Sequence, residues 1–139
     1  MKPKENLIEE AKRYIANAKK VLLENTEIEG KFYDDPKYVR MAGNTAWNGV
    51  LIALEAIFDV QSKKSKGARP DFKDYQGEIT KKDKKLLNNV NSAYNILHKS
   101  MGYDGALNVA IVKEGFSDAK TIIDWCELSY KPPVVAKKK

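Results

Sequence analysis

Cysteine and histidine each occur once in this chain, and both absences narrow what it can be. A lone Cys126 excludes an internal disulfide and fits a reduced, cytoplasmic setting. One cysteine with one histidine leaves too few soft ligands for zinc, so neither a metal nor a cofactor is expected. No glycine-rich loop sits between a strand and a helix, so the nucleotide-binding fingerprint is missing. Long apolar runs are missing too. The longest nearly uncharged run, Met41 to Ile57, is broken by Asn44, Thr45, Asn48 and Glu55. It falls short of the roughly 18 apolar residues that mark a membrane span. The opening residues MKPKENLIEEAKRY carry no apolar core of a signal peptide. Glycine and proline are sparse and gather between periodic segments, which favours an all-helical chain.

The apolar residues repeat at spacings of three and four in four stretches. The first runs from Lys4 to Asn25. The second starts at Asp34, Asp35 and Pro36, an aspartate cap with proline in the first turn, and continues to about Val60. It is apolar over so much of its surface that a central position is expected. Gly43 and Gly49 within it permit close helix approach. The fourth begins near Asp104 or Asn108 and runs to about Tyr130, with Cys126 read as a small apolar core residue. The expected architecture is all-α, an antiparallel four-helix bundle forming a single domain over residues 1–131. A flexible basic tail over 132–139 follows.

The third stretch, Lys84 to Asp104, carries His98. On a wheel of about 100° per residue, Leu86, Val90, Ala93, Tyr94, Leu97 and Met101 share the inner face. Asn88, Asn91, Asn95 and His98 form a second stripe roughly 120° away. Ile96 falls outside the core arc. Asn44 and Asn48, one turn apart on the second helix, either bond across an interhelical or intersubunit contact or face solvent. Asparagine is a mediocre helix former, so this enrichment points to an interface at Asn44, Asn48, Asn91, Asn95 and Ile96, with His98 beside it.

Positive charge is unevenly placed. From Lys63 to Lys85 nine basic residues stand against four acidic ones, and the last nine residues hold four lysines and no acid. Ser62 to Ile79 reads as a long polar connection between helices two and three, basic over 63–79, with Phe72 and Tyr75 available to pin it. Thr80 and Asp83 resemble a capping box for the third helix. Lys63, Lys64, Lys66, Arg69, Lys81, Lys82, Lys84 and Lys85 form a candidate phosphate-binding set whose affinity would fall with salt.

A helix reading NTAWNGVLIALEAIF, a second ending NILHKSMGYDG and a last one reading VKEGFSDAKTIIDW together resemble the HEPN superfamily. These are small four-helix-bundle proteins named for nucleotide binding in higher eukaryotes and prokaryotes. More narrowly, the chain is similar to a group of small bacterial HEPN-like helical proteins. The resemblance implies the bundle fold and a tendency to dimerise. Active members place an arginine a few residues before the catalytic histidine, and two such motifs meet across a homodimer to cleave RNA. The histidine corresponds to His98; the arginine would fall on Ala93, Ser92 or Asn91, and none is arginine. The first expectation is therefore a non-catalytic module for homodimerisation or binding a protein partner. The alternatives are a degenerate ribonuclease using His98 as general acid or base and nucleic-acid binding through the lysines.

Overall fold

Helix α2 (Pro36–Ile57) buries ten residues between Val39 and Ala56, and α1, α5 and the segment bearing His98 all pack on it. The computed structural model describes residues 4–60 and 70–130. Asp35 accepts a hydrogen bond from Lys37 N at 2.9 Å, and Pro36 fills the first turn, where its missing N–H costs nothing. The helix stops at Ile57, three residues before the periodicity predicts, with Phe58 as its cap.

Helix α1 (Lys4–Asn25) lies along α2 and buries Ile8, Ala11, Ile15, Ala18 and Leu22. Gly49 allows the two to close up: a Cβ there would stand 2.9 Å from Tyr14 Cβ. Between them, Gly30 at φ 65° turns a two-residue hairpin, β1 (Ile28–Glu29) against β2 (Phe32–Tyr33). Tyr33 N donates to Leu107 O at 2.9 Å and Val109 N to Lys31 O at 3.0 Å, which stitches the hairpin to the entry of α5 (Val109–Ser129). Asn108 caps α5, accepting from Ile111 N at 3.1 Å. The stripe Val112, Phe116, Ala119, Ile122, Ile123 and Cys126 is buried as the spacing predicts. Burial pushes the Cys126 thiol up to about 12, leaving it protonated and inert.

The expected polar connection over 62–79 is corrected in its second half. Residues Phe72–Lys82 form a helix, α3, so the described residues contain five α-helices, and the all-α class holds. Asp71 and Asp74 make a reciprocal capping box: Asp74 N donates to Asp71 Oδ1 at 3.1 Å and Asp71 N to Asp74 Oδ2 at 2.9 Å. Phe72, Tyr75 and Ile79 stand three and four apart on the inner face, a short period masked by Pro70, Gly77 and the lysines. The Thr80–Asp83 capping box is also corrected. Thr80 lies inside α3 and its hydroxyl donates to Gln76 O at 2.7 Å, while Asp83 alone caps α4 (Lys84–Ala93). Lys63, Lys64, Lys66, Arg69 and the 132–139 tail lie outside the described residues.

Helix α4 does not continue as a uniform α-helix. It widens into a π-helical segment, Tyr94–Met101, seen in the i→i−5 bond from Gly102 N to Leu97 O at 2.9 Å. Leu97 and Met101 still face the core, but Ile96 does not stand clear of it. Gly115 of α5 comes so near that a Cβ there would lie 2.6 Å from Ile96 Cγ2. The wheel misplaces Ile96 because it assumes one angular step throughout. On the other side the segment meets Gly43, where a Cβ would lie 2.5 Å from Leu97 O and from Met101 Cβ.

Two polar ties lock α4 to α5. Trp125 Nε1 donates to Asp83 Oδ2 at 3.2 Å, and the Asp83 carboxyl is held below the usual range, first by Leu86 N–H and also by Trp125. Ser92 Oγ donates to Asp118, whose carboxyl is raised by burial, with Glu114 adding to the shift.

Gly43→Ala forces a methyl group onto backbone and should lose about 2 kcal/mol or more of unfolding free energy. Gly77→Ala, at an exposed helix position with nothing within 4 Å, should gain up to about 1 kcal/mol. Urea titrations of the two variants check both signs. The raised Asp118 carboxyl gives stability at low pH that is lost as pH rises through its folded value. Asp118→Asn should therefore unfold later than wild type at neutral pH, by under ~1 kcal/mol, and match it below about pH 3.9. Thermal melts of both proteins at several pH values read the difference.

Candidate functional site

The largest group of aromatic rings in the fold gathers around His98, in a cleft bounded by α2, α3 and the junction of α4 with the π segment. From α2 comes Trp47, buried but edge-on to two neighbours: Phe72 at 5.4 Å between ring centroids and Tyr94 at 5.4 Å. Phe72, the first residue of α3, stacks on Tyr94 at 4.1 Å. His98 lies one turn beyond Tyr94, 5.2 Å from that ring and 6.1 Å from Trp47. Edge and offset stacking add about 0.5–1.5 kcal/mol per pair beyond simple burial, so the rings hold one another in place.

Polar groups line the same space. Gln76 Nε2 donates to Asn91 Oδ1 at 2.8 Å, joining α3 to α4. Asn95, exposed, and Lys73 and Asp71 complete the wall of an open cleft of about 730 Å³. His98 is half-buried, and its Nδ1 is enclosed with no hydrogen-bond partner among the described residues. A buried polar atom left so costs roughly 1–3 kcal/mol.

The structure thus brings together His98, Asn91 and Asn95 from the sequence-predicted set. Asn44 stands apart, at the end of the π segment, where its Nδ2 donates to Gly102 O at 3.2 Å. Nearby, Arg40 Nε donates to Tyr103 O at 3.3 Å. Asn48 is exposed on the same helix. Ile96 faces α5, on another side of the segment. Lys81, Lys82, Lys84 and Lys85 are exposed around the α3–α4 junction, and none of them lines the cleft. Trp47, Phe72, Gln76 and Lys73 escaped sequence reasoning as site residues. Three of them sit on the helix read as a loop, and the Asp71–Asp74 spacing was the signal that could have found it.

Chemically the cleft can stack flat or apolar groups and exchange amide hydrogen bonds. A catalytic histidine is normally oriented through its second ring nitrogen, and no partner for Nδ1 of His98 is found among the described residues. Among the described residues no three or more histidine, cysteine or carboxylate side chains come together to hold a metal. No described helix is long and apolar enough to cross a membrane.

The family profile described as Domain of unknown function (DUF5618) matches residues 6–128. The chain belongs to this family. Among solved structures, a protein of unknown function from Dyadobacter fermentans is similar at 42% identity with a TM-score of 0.81, covering 92% of this chain and 98% of that chain. No functionally curated protein matches. The matched span of the domain includes every element from α2 to α4 and so the whole cleft.

Phe72→Ala should remove the stack on Tyr94 and free the start of α3, at a cost of about 2–3 kcal/mol for this half-buried ring. Hydrogen exchange should then quicken across residues 72–82 while α1 and α2 keep their protection. Uniform loss of protection would show that α3 and the rest of the fold are one unit.

Proposed function

We propose that this member of the DUF5618 family is a non-catalytic, HEPN-like helical module that self-associates through the face built by α2, α3 and the π segment. In this reading α1, α2, the α4–π rod and α5 are the four rods of an antiparallel bundle, and α3 is an added short helix. The observation that carries it is the cleft at His98: four rings and three amides line it, and the histidine Nδ1 has no hydrogen-bond partner among the described residues. Aromatic side chains are enriched and charges depleted at the cores of protein interfaces. Catalysis finds no support in the same place. The position of the HEPN arginine falls on Ala93, Ser92 or Asn91, and the Asn91 amide is already bonded to Gln76. Lys73 is the single lysine among the described residues lining the cleft, and the exposed lysines at the α3–α4 junction stand outside it, which favours protein over nucleic acid as its occupant. A reducing, cytoplasmic setting fits the buried free thiol of Cys126.

The reading is tested by light scattering over a wide range of concentration. The expected molar mass is twice the 15.7 kDa of one chain. Asn95→Arg, placed at the exposed lip of the cleft, should return the monomer without lowering the melting temperature. A monomer at every concentration, indifferent to Asn95→Arg, overturns self-association through this face.

A further inference from the structure

A second open groove lies between the end of α1, the β1–β2 hairpin and the first half of α5, and shares no lining residue with the His98 cleft. We propose that it is a docking site for an acidic amphipathic helix on a protein partner, a function separate from self-association. Its space is about 680 Å³. Phe116 and Leu22 are its buried floor, and Leu23 (83% exposed) and Ile28 (55% exposed) stand on its rim. Large apolar side chains this exposed and this close together mark a binding surface.

Charge identifies the occupant. Ten residues line the groove; three are lysine and none is acidic. This is a local reversal, since acidic residues outnumber basic ones among the described residues. Lys19 Nζ is 5.7 Å from the centre of the Phe116 ring, which holds its ammonium over the apolar floor. Lys120 is shared with Asp124 at 2.7 Å. Lys113 has no carboxylate within ion-pair distance among the described residues. The segments of this chain outside the described residues carry positive charge only, so none of them suits the groove. A second copy docked groove to groove about a two-fold axis would set one cationic rim against another. A bilayer is flat, whereas this surface is concave between two helices. A helix with leucines along one edge and carboxylates beside them satisfies both the apolar floor and the cationic rim.

The test uses a fluorescein-labelled synthetic helix with leucines at i, i+3, i+4 and i+7 and glutamates alongside, and its twin with lysines replacing the glutamates. Fluorescence anisotropy with the full chain should show binding of the glutamate peptide alone, weakening with salt. Leu23→Ser, at a side chain outside the core, should weaken it about tenfold. Lys19→Glu with Lys113→Glu should reverse the preference toward the lysine peptide, while the molar mass and melting temperature stay as in wild type. Equal binding of both peptides, no binding of either, or a preference unmoved by these variants overturns the proposal. Retention on phosphatidylserine vesicles without binding of the glutamate peptide assigns the face to a lipid surface and overturns it equally.

Discussion

At Gly43 the backbone of α2 and the π segment meet with no side chain between them, and the His98 cleft depends on that contact. A methyl group at this position would collide with Leu97 O, Met101 Cβ and Gly102 N. Because the two backbones touch, Trp47, one turn along α2, comes within stacking distance of both Tyr94 and His98. The same approach places Asn44 where its amide reaches the Gly102 carbonyl, so one end of the π segment is tied to α2 by a hydrogen bond. The wide turn and the missing side chain work together. Neither would position the histidine without the other.

Helix α3 supplies the remaining wall, and its attachment is mostly local. Its capping box, the Phe72–Tyr94 stack and the Gln76–Asn91 bond all involve its first half. Tyr75 and Ile79 are buried as well. The cleft therefore rests on one close backbone contact, at Gly43, and one short helix with few anchors among the described residues. That division suits a recognition surface, since elements with few buried contacts open at low cost. The groove between α1 and α5 is different in kind. Its walls are long helices joined at the far end by the Lys12–Glu127 pair at 2.7 Å, and only the hairpin is a small element.

Which parts were legible in advance follows from the range of the forces involved. Helices α1, α2 and α5 appeared as apolar residues three and four apart, because one long face against one core leaves that period in the sequence. The cap at Asp35 and Pro36 was equally plain, being a matter of neighbouring residues. Helix α3 was missed because eleven residues with three inward side chains leave little period among lysines and a glycine. Ile96 was misplaced for another reason. A π turn changes which residues share a face, and nothing in the eight residues from Tyr94 to Met101 announces it.

His98 was singled out by rarity, and its place beside Asn91 and Asn95 followed from helical spacing alone. The rings around it could not be foreseen, because Trp47, Phe72 and Tyr94 come from three elements far apart in the chain. Sequence by itself determined what depends on neighbours within a turn: the all-α class, the cap at Asp35 and Pro36, the buried stripe that includes Cys126, and the clustering of positive charge. Only the tertiary structure decided the aromatic cleft, the lysine-rimmed groove and the turning of Ile96 toward α5. Each of these is a meeting of side chains from separate elements, and the close approach of backbones at Gly43 and Gly115 sets two of them; no local pattern encodes that distance.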